Sequence, residues 1–188
     1  MTKPGSFRPG GETSVLRRMV KSALVAFFRL PPACPVPFGI RWRLLQLVGV
    51  HRRIPWPVHF TSTVHAPDRI KLGRRTYPGD SPGCYIQALN GIEIDDDTNL
   101  GPGVGLISAN HDPLANDHWI EAPPIRLGKR CWLGMNAIVL PGVELGDNTI
   151  VGAGSIVTRS FPDGNCVIGG NPARLIRKLD EAEKTRGE

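Results

Sequence analysis

The sequence predicts an all-β solenoid, a parallel β-helix built from short strands in stacked coils. Three observations point there. First, aliphatic residues recur every six positions, at Leu127, Leu133, Val139, Leu145, Val151 and Val157. Leu, Ile and Val make up 45 of 188 residues, so a given frame produces this run by chance with a probability on the order of 10⁻⁴. Second, glycine follows the aliphatic residue at 128, 134, 146 and 152, and the fifth positions are small or apolar (Cys131, Ala137, Val143, Thr149, Ser155). Third, the chain holds 22 Gly and 18 Pro, residues that helices disfavour and corners need. A helix repeats near 3.6 residues and a strand at 2, so a period of six fits neither alone. It fits flat segments joined by corners, each segment sending one aliphatic side chain inward. Successive coils then pair backbone to backbone about 4.8 Å apart.

The elements follow in order. Residues 1–12 read as a disordered tail, and 13–58 as an N-terminal helical segment. Its first helix starts at Thr13 or Ser14 and runs to Leu30, where Pro31 and Pro32 stop it; its apolar stripe is Leu16, Val20, Ala23, Leu24 and Phe27. A second helix is expected over Ile40 to Val50. The β-helix occupies 59–170. Its first positions begin at Phe60, Ala66 and Leu72, with Val64, Ile70 and Thr76 at the fifth; the frame shifts before Pro82. It resumes with Ala88, Ile94, Leu100 and Leu106, paired with Ile86, Ile92, Thr98 and Val104. The spacing from Leu106 to Leu127 is not a multiple of six, so a loop leaves the coil over 111–125, where long excursions often carry function. Residues 171–188 read as a short charged C-terminal helix.

Composition narrows the function classes. The formal net charge is +6, with the excess cations in the first 75 residues. No stacking aromatics interleave with them, so nucleic acid is not expected as a partner. The basic face over residues 14–30 either packs on the core or lies on an anionic membrane. No apolar run is long enough to span a bilayer, and no convincing secretory signal is present. Four cysteines without zinc spacing fit reduced thiols in the cytoplasm, with membrane contact at its inner face as the peripheral alternative.

The hexads, the segment ISANHD (107–112), the segment CWLGMNAIVLPGVELGDNTIVGAGSIVT (131–158) and the ending VIGGNPARLIRK (167–178) resemble the hexapeptide-repeat acyltransferases. The likeness is greatest to the maltose/galactoside O-acetyltransferase branch and its polysaccharide-modifying relatives. The resemblance covers roughly residues 60 to 178. It implies a left-handed β-helix, an exception to the usual right-handed crossover. It also implies homotrimers with an active site between neighbouring subunits, acetyl-CoA as co-substrate and no metal. The expected activity is O-acetyl transfer to a hydroxyl of a sugar, glycan or lipid-linked sugar.

The resemblance carries roles to particular residues. His111 matches the catalytic histidine; an imidazole can take a hydroxyl proton as the new C–O bond forms, without an acyl-enzyme. Glu121 or Asp112 is the candidate to orient it. Trp132 matches the tryptophan beside the acceptor or the pantetheine arm. The backbone at Gly134 and Met135 matches the corner that meets the thioester, with Met135 standing where the family often has serine. Ala153, Thr158, Arg159, Arg174 and Arg177 match the coenzyme A positions. The acceptor region departs from the sugar acetyltransferases, with Ser81 opening the stretch where they carry an Asn-Phe-Asn run; Tyr85, Gln87 and Asn90 are the polar candidates nearby. Two alternatives stand beside this one. One is a zinc carbonic anhydrase-like site drawn from His65, His111 and His118, whose spacing departs from that family's pair; the other is a nonenzymatic scaffold.

Overall fold

A computed structural model describes residues 12–31 and 34–180; the expected tail before Glu12 and the residues after Asp180 lie outside them. Three parallel sheets form the walls of a left-handed β-helix. The first face stacks Thr63–His65, Tyr85–Gln87, Gly105–Ile107, Ile138–Val139 and Ile156–Val157. The second stacks Ile70–Leu72, Ile92–Ile94, Ile125–Leu127 and Glu144–Leu145, and the third stacks Asn99–Leu100, Trp132–Leu133, Thr149–Val151 and Cys166–Gly170. Trp132 pairs with Ile150 and Ile138 with Ile156, three hexads on in each case. Where the frame breaks, the coils lengthen: Thr63 pairs with Tyr85, and Gly105 with Ile138 across the loop.

The inward positions behave as the period requires. Leu127, Leu133, Val139, Leu145, Val151 and Val157 are all buried, as are Cys131, Ala137, Val143, Thr149 and Ser155. Phe60 does not follow its frame and is 63% exposed. It sits in the turn before the first strand, where no coil yet exists to receive it. Ile54, Trp56 and Val58 instead plug that end, packing on Val64, Ile70 and Leu72. Outside, the second face is charged: Glu93 accepts from Lys71 at 2.8 Å and from Arg126 at 3.1 Å. These contacts, Lys71's first, hold the Glu93 carboxyl below its usual range.

Both flanks need correction. Helix α1 spans Glu12–Phe27, ending before Leu30 because Arg29 turns left-handed (φ 47°). Helix α2 spans Val36–Leu47 rather than 40–50. Its early start places Pro37 in the first turn, where no N–H is needed. The expected C-terminal helix is replaced, over the described residues, by a strand. Ala173–Lys178 pairs antiparallel with Cys166–Gly170. The last coil leaves a row of unpaired backbone groups at its edge, and the returning chain covers them.

One half-buried acid links flank and coil. Asp80 closes the turn that lengthens the first coil, its N–H donating to Tyr77 O at 3.1 Å. Burial pushes its carboxyl up to about 6, only partly offset by backbone N–H groups at Ser81 and Asp80. The folded value lies above the unfolded 3.8, so protonation favours the fold. That stability is complete below about pH 4 and is lost as pH rises through about 6. Asp80→Asn should therefore raise Tm at pH 8 by the equivalent of about 2 kcal/mol and flatten the fall between pH 4 and 6. An unchanged Tm at both ends of that range contradicts this account of Asp80.

Candidate active site

The loop is not irregular. His111–Asp112 and Ala115–Trp119 form an antiparallel hairpin that pairs His111 with Trp119. The two rings stack with centroids 4.0 Å apart and planes tilted by 37°. His111 Nδ1 lies 2.6 Å from Asn116 O. A carbonyl oxygen can only accept, so Nδ1 carries the proton and Nε2 presents a lone pair. The ring's orienting partner is thus a loop carbonyl rather than a carboxylate. Asp112 Oδ1 accepts from Leu114 N at 2.7 Å and turns the chain past Pro113. Glu121 is exposed and lines a cleft with Arg69, Lys71 and Asn90.

Two of the candidate acceptor residues build the root of this hairpin. Buried Gln87 donates its amide to Ala109 O at 3.1 Å and accepts from Ala109 N at 2.9 Å. Asn90 Nδ2 reaches Ser108 O and Ile120 O, both at 2.9 Å. The two amides tie both ends of the excursion to the coil below and so position His111. Asn90→Ala should cost about 1–3 kcal/mol of stability, since two carbonyls lose their donor. Hydrogen exchange at the hairpin amides should speed up in this variant; unchanged protection contradicts a positioning role. Of the other two, Ser81 Oγ donates to Leu100 O at 2.7 Å. Tyr85 stands 43% exposed on the first face, edge to face with His65 at 5.5 Å.

The remaining candidates gather elsewhere. The hairpin leaves the corner between the first and second faces. Gly134 and Met135 lie at the corner between the third face and the first, after Trp132–Leu133. Trp132 and Met135 are 56% and 55% exposed there, beside exposed Ala153. Gly134 is required at this corner. A Cβ on it would stand 2.7 Å from Ala153 N and 2.9 Å from Val151 O, too close for the coils to stack. Exposed Arg174 and Arg177 follow on the added strand of the third face. Thr158 and Arg159 lie past the end of the first face; Arg159 shares a cleft with Leu175 and Lys178 at the C-terminal end. Within one chain, then, the histidine and the corner lie at different edges of the prism. Among the described residues, no group of three His, Cys, Asp or Glu side chains is placed to hold a metal.

Comparison with known proteins accords with this architecture. Residues 124–159 match the family model for the hexapeptide repeat of succinyl-transferase. WcaF of Escherichia coli (strain K12), named for acetyl transfer in colanic acid biosynthesis, is 35% identical over 145 residues, covering 76% of this chain and 78% of WcaF. The chain belongs to the hexapeptide-repeat acetyltransferases. A Saccharomyces cerevisiae (strain S288c) protein named as an acetyltransferase, YJL218W, is 35% identical over 130 residues, or 65% of each chain. Among solved hexapeptide-repeat acetyltransferases, galactoside acetyltransferase in complex with coenzyme A superposes with a TM-score of 0.60 at 25% identity. It covers 95% of this chain and 88% of its own. The maltose O-acetyltransferase of Clostridium difficile 630 shares the fold, with a TM-score of 0.56 at 23% identity over 93% and 92% of the two chains.

His111 and the glycine corner stand out in the sequence because they fall in motif positions of the family it resembles. Asn116 and Trp119 do not. Their roles arise from a hairpin register across a stretch with no six-residue period.

Proposed function

We propose that the chain is an acetyl-CoA-dependent O-acetyltransferase acting on a hydroxyl of a sugar, glycan or lipid-linked sugar, with His111 as general base. The observation that carries this reading is the hydrogen bond from His111 Nδ1–H to Asn116 O, which leaves Nε2 as the acceptor atom. The residues at the far corner suit coenzyme A. Trp132, Met135 and Ala153 offer an exposed apolar wall for a pantetheine arm, and Arg159, Arg174 and Arg177 offer cations for phosphates.

Bound acetyl-CoA supplies an acyl carbon activated as a thioester. His111 Nε2 takes the acceptor's hydroxyl proton as that oxygen attacks the acyl carbon. The Met135 N–H at the corner stabilises the oxyanion, since that of Gly134 already donates to Val151 O at 2.8 Å. The C–S bond breaks and the imidazolium returns its proton to the departing thiolate, so no acyl-enzyme forms.

Because the base and the corner sit at different edges of one prism, the reading requires a neighbouring copy, and a homotrimer satisfies it. The pattern of outward residues supports that assembly. Ile107, Ile138 and Ile156 face out of the first wall, and Trp132, Ile150 and Val167 out of the third, while the second presents Lys71, Glu93, Arg126 and Glu144. Two apolar walls meeting around an axis leave the charged one to water. Four buried cysteines without a disulfide and the use of acetyl-CoA support a cytoplasmic reading.

The direct test is release of free thiol from acetyl-CoA with sugars, oligosaccharides and lipid-linked sugars as acceptors, with mass spectrometry of the product. Acceptor-dependent thiol release with an ester-linked acetyl group is expected. Failure to bind coenzyme A by calorimetry contradicts the reading and favours a scaffold.

A further inference from the structure

The N-terminal helical layer carries an exposed surface that is both apolar and cationic. From Thr13 to Pro67 the sequence contains no Asp or Glu. On α1, Val15, Leu16, Met19 and Val20 are 51–65% exposed and Phe27 is 81% exposed. At helical spacing Leu16, Val20, Leu24 and Phe27 share one side, with Arg17 and Lys21 flanking it and Arg18 further round. Phe27 continues into a groove with Leu44 and Leu47 of α2, rimmed by Arg29 and Arg52. Leu47 and Val48 are 82% and 76% exposed. The groove is a fixed feature: Arg43 bridges the two helices, donating to Phe28 O and Arg29 O, both at 3.0 Å, while its guanidinium covers Trp42 at 4.3 Å.

We propose that this surface docks on an anionic lipid bilayer. The apolar row of α1 and the Phe27–Leu47–Val48 rim enter the headgroup boundary, and the flanking cations meet lipid phosphates. Charge decides against pairing of this face with the same face of a second copy. Two such faces brought together would oppose cations with no carboxylate between them. The exposed apolar row decides against nucleic acid, which needs the charge but not the row. The inference is independent of the acyl-transfer reading. Among the described residues no helix is long and apolar enough to cross a membrane, so the contact is peripheral.

The test is flotation of the full chain with vesicles of phosphatidylcholine, alone or with phosphatidylglycerol. The bound fraction should rise at least about tenfold with the anionic lipid and fall only in part at high salt. The triple variant Leu16→Glu, Phe27→Glu, Leu47→Glu should lose that binding, with unchanged circular dichroism and unchanged size by gel filtration. Absence of binding to anionic vesicles at low salt overturns the proposal. So does binding that survives the triple variant, which would be charge attraction alone. A change in oligomer size in the variant overturns it too, by showing that another copy covers the face.

Discussion

Replacing His111 with alanine should lower acyl transfer by about 10²–10⁴-fold, the range for losing a positioned general base, while coenzyme A affinity stays near wild type. The expectation rests on geometry. The Asn116 carbonyl fixes the Nδ1–H tautomer and Trp119 fixes the ring plane, so Nε2 is presented without further adjustment. His111→Gln tests tautomer control, since an amide can hydrogen-bond but cannot take the proton; it should be nearly as impaired as alanine. Trp119→Ala should be milder, because it loosens the ring without removing the base. Near-wild-type turnover of His111→Ala defeats the assignment.

The largest expected effect on stability is at the inward hexad positions. Leu133 is fully buried, inside the third face next to the glycine corner. Truncation to alanine removes its transfer energy and leaves a cavity that pleated walls on three sides cannot collapse into, costing about 2–5 kcal/mol. Val151 and Val157, also buried, should follow the same rule with smaller losses. The outward neighbour Ile150 should cost far less in the isolated chain. Urea titrations with unchanged m-values check this; a Leu133→Ala loss no larger than that of Ile150→Ala contradicts the inward placement.

The solenoid was legible because its period is a packing constraint repeated in every coil, so each aliphatic residue reports the same wall. The frame breaks were equally informative. A lengthened spacing between Leu106 and Leu127 can only mean chain leaving the coil, and a hairpin stands there. What escaped reading was non-periodic. The strand Ala173–Lys178 looks helical in composition, and only the open edge of the last coil selects it as a strand. Gln87 and Asn90 resembled ligand-binding polar groups, but their amides serve the loop root, because the excursion strips backbone groups of their ladder partners. The partner of His111 Nδ1 is a main-chain carbonyl, which no side-chain motif can announce.

In the proposed trimer, base and thioester corner come from different copies. Mixed assemblies test it most directly. Two inactive variants, His111→Ala and Ala153→Asp, are co-expressed with different tags, and doubly tagged oligomers are isolated. The account predicts acyl transfer well above either parent, since some interfaces then pair an intact His111 with an intact corner. Mixed oligomers as inactive as both parents would show that each site is built within a single chain.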